Sequence, residues 1–289
     1  MEQVLVNGLY LGAQYALIAL GLTLIFSLMN VLNFAHGQMY VLGGFVTYTV
    51  VAQFGLPFIV GLLASGVALA IIGALVERFL FRSVIRNSKR EESTMLLAAG
   101  IAFFLDAVIL LVFGEKQRGL PKIVDGVLNW DFIIIMPYDR ILIGVLALAL
   151  VAVFILFMQH SKTGRAMRAL AQDKVAARLM GVDVDRYSMI GFALGAMLAG
   201  IVGGLLVTIT GINLGMGGPT SIKAFMMIMI GGAGVISGAI LGGFILGMME
   251  SVGLTVLASS GEITYLVIFA TLMVFLAIRP QGLMGKPWG

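Results

Sequence analysis

No cysteine occurs anywhere in the chain. That absence excludes disulfides, thiolate metal sites and cysteine nucleophiles, and it leaves the redox compartment open. Charge is almost as scarce: Asp, Glu, Lys and Arg together supply 11% of the 289 residues, against about 25% in a soluble domain. There are two histidines, His36 and His160, and no ligand spacing links them, so no metal site is expected. The phosphate-cradling pattern GxxxxGK(S/T) is missing too. The Gly285-Lys286 pair is followed by Pro287. A basic leader is also lacking: Glu2 stands where a signal peptide would be positive, and further spans follow the first apolar stretch, which argues against a cleaved signal. Pairings such as Ser/His/Asp have no motif support, and no catalytic site is expected.

What is present is apolar. Hydrophobic residues make up 60% of the chain and its mean hydropathy is +1.08, more apolar surface than a soluble fold could hide from water. Glycine, at 38 residues, exceeds the usual ~7% and suits close helix packing in lipid. The fold class is therefore all-α: a polytopic transmembrane helical bundle, one domain over 1–289. Since a span needs about 20 mostly apolar residues, spans are expected at 4–28, 37–54, 57–77, 93–113, 141–159, 188–211 and 262–279. Residues 220–258 form a longer block interrupted by "GGAGVISG". With the interrupted or re-entrant helices this makes about 8–10 membrane segments.

Basic residues orient these spans, and a net charge of +4 needs no nucleic acid as partner. Arg78, Arg82, Arg86, Lys89 and Arg90 cluster in one loop, and Lys162, Arg165, Arg168, Lys174, Arg178 and Arg186 occupy another at 161–187. Arg279 and Lys286 mark the C-terminus. The positive-inside rule puts all three in the cytoplasm. The balanced segment 114–140 is then the large external loop. Parity requires 220–258 to cross twice, or to enter and return, with a break at Gly231–Gly234 or near Gly238. The N-terminal third leaves two topologies open: three full crossings before Arg78 put the N-terminus outside, and a re-entrant element at 31–44 puts it inside.

The stretch "VLNFAHGQM" at 31–39 sets Asn33, His36, Gly37 and Gln38 between two apolar runs. Together with "GGAG" (Gly232, Gly234) it gives an interruption in each half of the chain, a pattern that points to a translocation route. The alternative is a polar loop at the headgroup level. The halves are too dissimilar in sequence to claim an internal repeat. GxxxG pairs at Gly8/Gly12, Gly200/Gly204, Gly238/Gly242 and Gly243/Gly247 suit helix packing. Asp106 lies mid-span and could pair with an amide, with His36 or with a partner's basic group. Lys223 and Glu250 fall nearer the ends of their block, where a snorkelling position is the default.

Within 161–187, "DKVAARLMG" reads as a two-turn helix with Asp173 as N-cap and Gly181 as the C′ residue. It gathers Val175, Leu179 and Met180, with Ala176 beside them, which suits a socket on a partner or the lipid surface. A proton-coupled secondary transporter would use Asp106 and broken helices, and a passive channel would use the Gly-rich breaks. Neither needs a basic cytoplasmic loop with a capped helix.

Three blocks, "LIFSLMNVLNFAHGQMYVLGGFV", "GRAMRALAQDKVAARLMGVDVDRYSMIGFALGAMLAGIVGGL" and "GGAGVISGAILGGFILGMMES", resemble permease subunits of branched-chain amino acid ABC importers. Their order and the chain length match the shorter of that family's two permeases; urea and short-amide importers use similar ones. The resemblance implies a multi-pass inner-membrane subunit with a cytoplasmic C-terminus. It also implies a second permease subunit, two cytoplasmic ATPase subunits that hold ATP and magnesium, and a periplasmic solute-binding protein. No cofactor is expected in this chain. The resemblance favours reading Asp173, Val175, Ala176, Leu179, Met180 and Gly181 as a coupling helix, with Arg165, Arg168 and Arg178 at its rim, while the paired interruptions make Asn33, His36, Gly37, Gln38, Gly232 and Gly234 the residues expected to border the substrate pathway.

Overall fold

A computed structural model describes residues 2–88, 92–130, 134–256 and 261–285. Lys89, Arg90, Asp131 and Lys286 lie outside the described residues. The first half contains α1 (Glu2–Met29), α2 (His36–Tyr48), α3 (Phe58–Val76), α4 (Arg82–Asn87) and α5 (Glu92–Phe113). A β-hairpin, β1 (Val127–Trp130) antiparallel to β2 (Ile134–Pro137), leads into α6 (Tyr138–His160). Two short helices, α7 (Lys162–Gln172) and α8 (Lys174–Leu179), connect it to the second half. That half contains α9 (Val184–Leu206), α10 (Gly217–Gly231), α11 (Ile236–Val256) and α12 (Gly261–Ile278).

Six of the described helical segments are long and apolar enough to cross a membrane: α1, Phe58–Asn87, α5, α6, α9 and α11. The expected spans fall on these helices, on α2 and on α12. The block 220–258 divides at residues 232–235 into α10 and α11. One expectation is corrected. Of the basic loop expected after residue 77, Arg78, Arg82 and Arg86 are helical, because a π-helical turn, Glu77–Phe81, joins α3 to α4 in one rod. Carboxylates make this possible. Glu77, only 2% exposed, pairs with Arg82 at 2.6 Å, and Asp185 at the start of α9 pairs with Arg86. Arg82 also donates to the Asp185 carbonyl at 2.9 Å.

Contacts between helices fix the direction of each pass. Gly8 and Gly12 of α1 meet Met248 and Phe244 of α11, so these helices are antiparallel. Gly66 and Gly73 of α3 meet Ile201 and Ala196 of α9 in the same sense. One face of the bundle carries the start of α1, where Gln3 exchanges hydrogen bonds with Ile135 of the hairpin at 2.8 and 3.2 Å. The other carries α7, α8 and the C-terminal segment, whose Leu283 and Met284 amides donate to Ile230 and Gly231 carbonyls at 2.9 and 3.0 Å. Residues 30–35 are not helical. They turn back from the end of α1 at Asn30, the one non-glycine described with a left-handed backbone (φ 58°). α2 then completes the pass, reaching the hairpin face, where the Arg118 guanidinium lies 5.8 Å from the Tyr48 ring. Three passes therefore precede the end of the α3–α4 rod, and Glu2 lies on the face opposite residues 279–285.

These directions reveal an internal repeat that the sequence hides. α1, α2, α3 and α5 correspond to α9, α10, α11 and α12, run in the opposite sense. α1 packs on α11 as α9 packs on α3, and α2 on α5 as α10 on α12. The contact between α1 and α9 is reciprocal: a Cβ on Gly21 would lie 2.8 Å from the Gly195 carbonyl, and one on Gly195 would lie 2.6 Å from the Gly21 carbonyl. This is an inverted-topology repeat, an architecture common in transporters. α6, α7 and α8 connect the two units.

The Gly8/Gly12 pair of α1 and the Gly243/Gly247 pair of α11 face each other, while Gly238/Gly242 packs on Met227 and Gly231 of α10. A Cβ on Gly243 would sit 2.5 Å from the Ala16 nitrogen and 2.6 Å from its Cα. Lipid offers helices no hydrophobic incentive to associate, so such close backbone packing carries the attraction. Gly243→Ala is expected to destabilise the purified protein by about 1–3 kcal/mol, as overpacking against backbone does. Gly100→Ala, where an added Cβ meets nothing within 4 Å, is expected to be neutral. Thermal unfolding in detergent compares the two, and equal melting temperatures would contradict this packing.

Candidate functional site

The segment "VLNFAHGQM" lies inside the bundle, away from any headgroup position. Asn33 and His36 are fully buried, and Gln38 is 6% exposed. Asn33 Oδ1 accepts from the Ala35 amide at 3.1 Å and so shapes the turn into α2. His36 Nε2 lies 3.2 Å from the Ile18 carbonyl, near the middle of α1. Since a carbonyl only accepts, Nε2 carries the hydrogen, and Nδ1 is a bare acceptor with no partner. α2 thus begins at mid-depth. α10 begins there too, because the first turns of the two helices meet. The Gly37 amide donates to Ser221 Oγ at 2.9 Å, and that hydroxyl donates to the Phe34 carbonyl at 3.0 Å.

Asp106 of α5 joins this junction and takes the amide among the partners its sequence allowed. Gln38 Nε2 donates to Asp106 Oδ2 at 2.9 Å. Asp106 Oδ1 and Gln38 Oε1 are buried without hydrogen-bond partners. The Gln38 oxygen rests against Gly217, where an added Cβ would overlap it.

The second interruption has a different place from the one its sequence suggests. Residues 232–235 form a tight connection on the α8 face, and the repeat pairs 30–35 with 207–216 instead. Gly232 packs against Gly282 and Gly285 of the C-terminal segment. Gly234 lines a cavity of about 980 Å³ opening on that face, together with Phe26, Ser27, Asn30, Met167 and Gln281. Asn33, His36 and Gln38 do not line it. The structure therefore brings Asn33, His36, Gly37 and Gln38 together and leaves Gly232 and Gly234 apart from them.

Sequence reading missed an ionic cluster among α1, α10, α11 and α12. Lys223 and Glu250 do not snorkel. Lys223 Nζ lies 3.1 and 3.2 Å from the two Glu250 oxygens and donates to Tyr15 Oη at 2.6 Å. Tyr15 donates to Glu250, and Tyr265 does so at 2.8 Å. The ammonium also sits 5.0 and 4.6 Å from the Tyr15 and Tyr265 ring centres. One signal could have exposed the cluster: residues 220–258 contain one basic and one acidic residue. Opposite charges in one apolar block are cheaper together than apart.

In the connection 161–187, the Asp173 carboxylate accepts from the Val175 and Ala176 amides at 2.8 and 3.0 Å. Gly181 has φ 84°, and the Gly181 and Val182 amides donate back to Arg178 and Ala177 carbonyls at 3.0 Å each. This is a complete Schellman cap. α8 buries Ala177 and turns outward Val175 (70% exposed), Leu179 (82%) and Met180 (85%), with Ala176 exposed beside them. Burial lowers the Lys174 ammonium from its ordinary pKa. Arg165 and Arg168 are already engaged, donating to the His160 and Met158 carbonyls at the end of α6 at 2.9 and 2.6 Å. Arg178 lines a smaller charged cavity with Glu77 and Asp183.

Comparison with known proteins follows this geometry. The family described as branched-chain amino acid transport system / permease component matches residues 4–276. A high-affinity branched-chain amino acid transport system permease protein, LivH of Salmonella typhimurium, is 34% identical over 99% of this chain and 96% of its own. The corresponding BraD of Pseudomonas aeruginosa is 33% identical over the same shares. A probable LivH of Methanocaldococcus jannaschii is 31% identical over 94% of this chain and 89% of its own.

The ionic cluster yields a thermodynamic prediction. Lys223→Met leaves Glu250 buried without its counter-charge and is expected to destabilise the protein by roughly 3–5 kcal/mol. Lys223→Met combined with Glu250→Leu removes both charges and is expected to recover most of that loss. Thermal melts of the two variants measure it. A double variant no more stable than the single would mean that the ion pair is not the source of the cost.

Proposed function

Because the chain belongs to the branched-chain amino acid transport permease family, we propose that it is one of two permease subunits in an ATP-driven importer of branched-chain amino acids. Its partners in this reading are a second permease, two cytoplasmic ATPases and a periplasmic solute-binding protein. ATP and magnesium belong to the ATPases. The face bearing α7, α8 and the C-terminus is cytoplasmic, since Lys162, Arg165, Arg168, Lys174, Arg178 and Arg186 gather there.

One observation supports the motor contact most directly: three large apolar side chains stand exposed on a short helix capped at both ends. A capped helix holds its shape under load, and exposed Val175, Leu179 and Met180 suit a groove on an ATPase. Each contributes about 1.5–3 kcal/mol when fully buried, so the contact can supply several kcal/mol. Movement delivered there has a short route inward. Arg168 grips the last turn of α6, and α7 lines the large cavity that opens on the same face.

Reconstitution with all partner subunits tests the reading. Leucine uptake into proteoliposomes is expected to require both ATP and the binding protein, and uptake needing neither would reject it. Leu179→Asp places an unpartnered charge in the contact. It is expected to weaken ATPase association on the order of 100-fold, or to leave hydrolysis uncoupled from uptake, with membrane insertion normal. Gly181→Val is expected to act likewise, because a β-branched residue does not suit a left-handed backbone. Normal ATPase co-purification and uptake by Leu179→Asp would overturn the coupling role and favour a helix lying on lipid.

A further inference from the structure

Beside α8 lies a cavity of about 590 Å³, enclosed by the end of α1, the α3–α4 rod, α8 and the start of α9. Four cations line it, Arg82, Arg86, Lys174 and Arg178, against three carboxylates, Glu77, Asp183 and Asp185. The carboxylates are already committed. Glu77 pairs with Arg82 and Asp185 with Arg86, and Asp183 accepts from the Arg186 amide at 3.0 Å as the N-cap of α9. Lys174 and Arg178 lie one turn apart on one flank of α8. Among the described residues neither makes an ion pair. Burial depresses the Lys174 ammonium, and no neighbouring anion offsets it. The lining is left with one net positive charge.

Most of the remaining lining is apolar. Leu28 and Met29 end α1, Ile85 belongs to α4, and Val182 and Val184 lead into α9. A small hydrated anion balances the charge but leaves that apolar wall wet. A ligand that joins an anion to hydrocarbon satisfies both halves. A phosphodiester, singly charged, matches the excess better than a phosphomonoester, which carries about −1.5 to −2 at pH 7. Basic pockets between helices at a membrane face hold such groups as lipid headgroups.

We propose that this cavity binds the headgroup of an anionic phospholipid, its phosphodiester on Lys174 and Arg178 and its glycerol end against Leu28, Met29 and Ile85. The inference goes beyond the importer reading and needs none of that reading's partners. It also separates two faces of α8. Val175, Leu179 and Met180 point outward, whereas Lys174 and Arg178 turn to the cavity. A bound headgroup braces the helix from its flank and leaves the outward apolar face free.

The full chain in detergent micelles tests the site. Its melting temperature is followed as phosphatidylglycerol, or phosphatidylcholine with the same acyl chains, is added, because a ligand of the folded state raises it with occupancy. Wild type is expected to bind phosphatidylglycerol about tenfold more tightly than phosphatidylcholine. Lys174→Gln combined with Arg178→Gln is expected to bring that preference within about twofold, and Lys174→Arg combined with Arg178→Lys is expected to keep it. Lys162→Gln combined with Arg186→Gln removes two charges of the same connection that do not line the cavity, and is expected to change nothing. Equal loss in the two neutralised variants assigns the attraction to the charge of the whole connection and overturns the site. Ile85→Glu, at a position 41% exposed, places a carboxylate in the lining. It is expected to abolish the preference, and it decides the matter if the Lys174/Arg178 variant fails to fold. Inorganic phosphate is expected not to displace phosphatidylglycerol at equal concentration, and displacement would make this a site for free phosphate and overturn the lipid. No preference in wild type overturns the proposal. So does an unchanged preference after Lys174 and Arg178 are neutralised, which leaves those cations to an acidic side chain of a partner.

Discussion

The fold depends on two places where backbone meets backbone without side chains between. α1 and α9 touch through Gly21 and Gly195, and α2 and α10 touch where Gly37 lies against the Gly217 carbonyl. In lipid, helices gain nothing by hiding apolar surface from one another, so attraction must come from contact close enough for dispersion and polar groups to act. Both contacts lie between corresponding parts of the two inverted units. Glycine at all four positions lets the units interlock rather than merely adjoin. Gly43 against Gly200 and Gly203 against the Tyr40 carbonyl extend the same seam.

Interlocking brings a consequence of its own. For α2 and α10 to meet by their first turns, each must begin at depth, so the chain has to reach them without helix. Non-helical backbone inside a membrane is tolerated only where protein or a water-filled cavity covers it. Residues 30–35 satisfy that condition with Asn33 folded onto the Ala35 amide and Ser221 bonded to the Phe34 carbonyl. The polar residues of "VLNFAHGQM" are thus first of all what a broken helix requires. The two acceptors left over, on Gln38 and Asp106, exceed that requirement.

Much of this was legible in the residues. The spans, the capped helix at 174–180 and the division of 220–258 into two helices follow from hydropathy, parity and capping chemistry, all of which act locally. The inverted repeat was not legible, because helices facing lipid or one another accept nearly any apolar residue and similarity between the halves erodes. The Gly232–Val235 break was seen but mispaired, since a glycine-rich turn at a membrane face and an unwound segment at depth look alike in one dimension. Lys223 and Glu250 were assigned to interfaces because each was considered against water. Their partner was each other, a relation that single-residue rules cannot express. The arginines of the α3–α4 rod were placed in a loop for the same reason: Glu77 and Asp185 neutralise them across the fold.

The repeat also sharpens the contrast between its two units. α10 is tied to α11 by the Lys223–Glu250 ion pair, and α12 joins them through Tyr265, which donates to Glu250, with Tyr15 of α1 in the same cluster. The corresponding pair, α2 and α5, is tied through Gln38 and Asp106 and through the stacked rings of Phe45 and Phe113. A buried ion pair resists separation strongly, because parting it strands charge in a medium of low dielectric. A single amide-to-carboxylate bond and one ring stack resist far less. Helices in such a bundle shift by exchanging one packing for another, not by bending. The first exchange should occur where least is lost, so α5 is the helix freer to move and the α10–α12 side is the frame against which it moves.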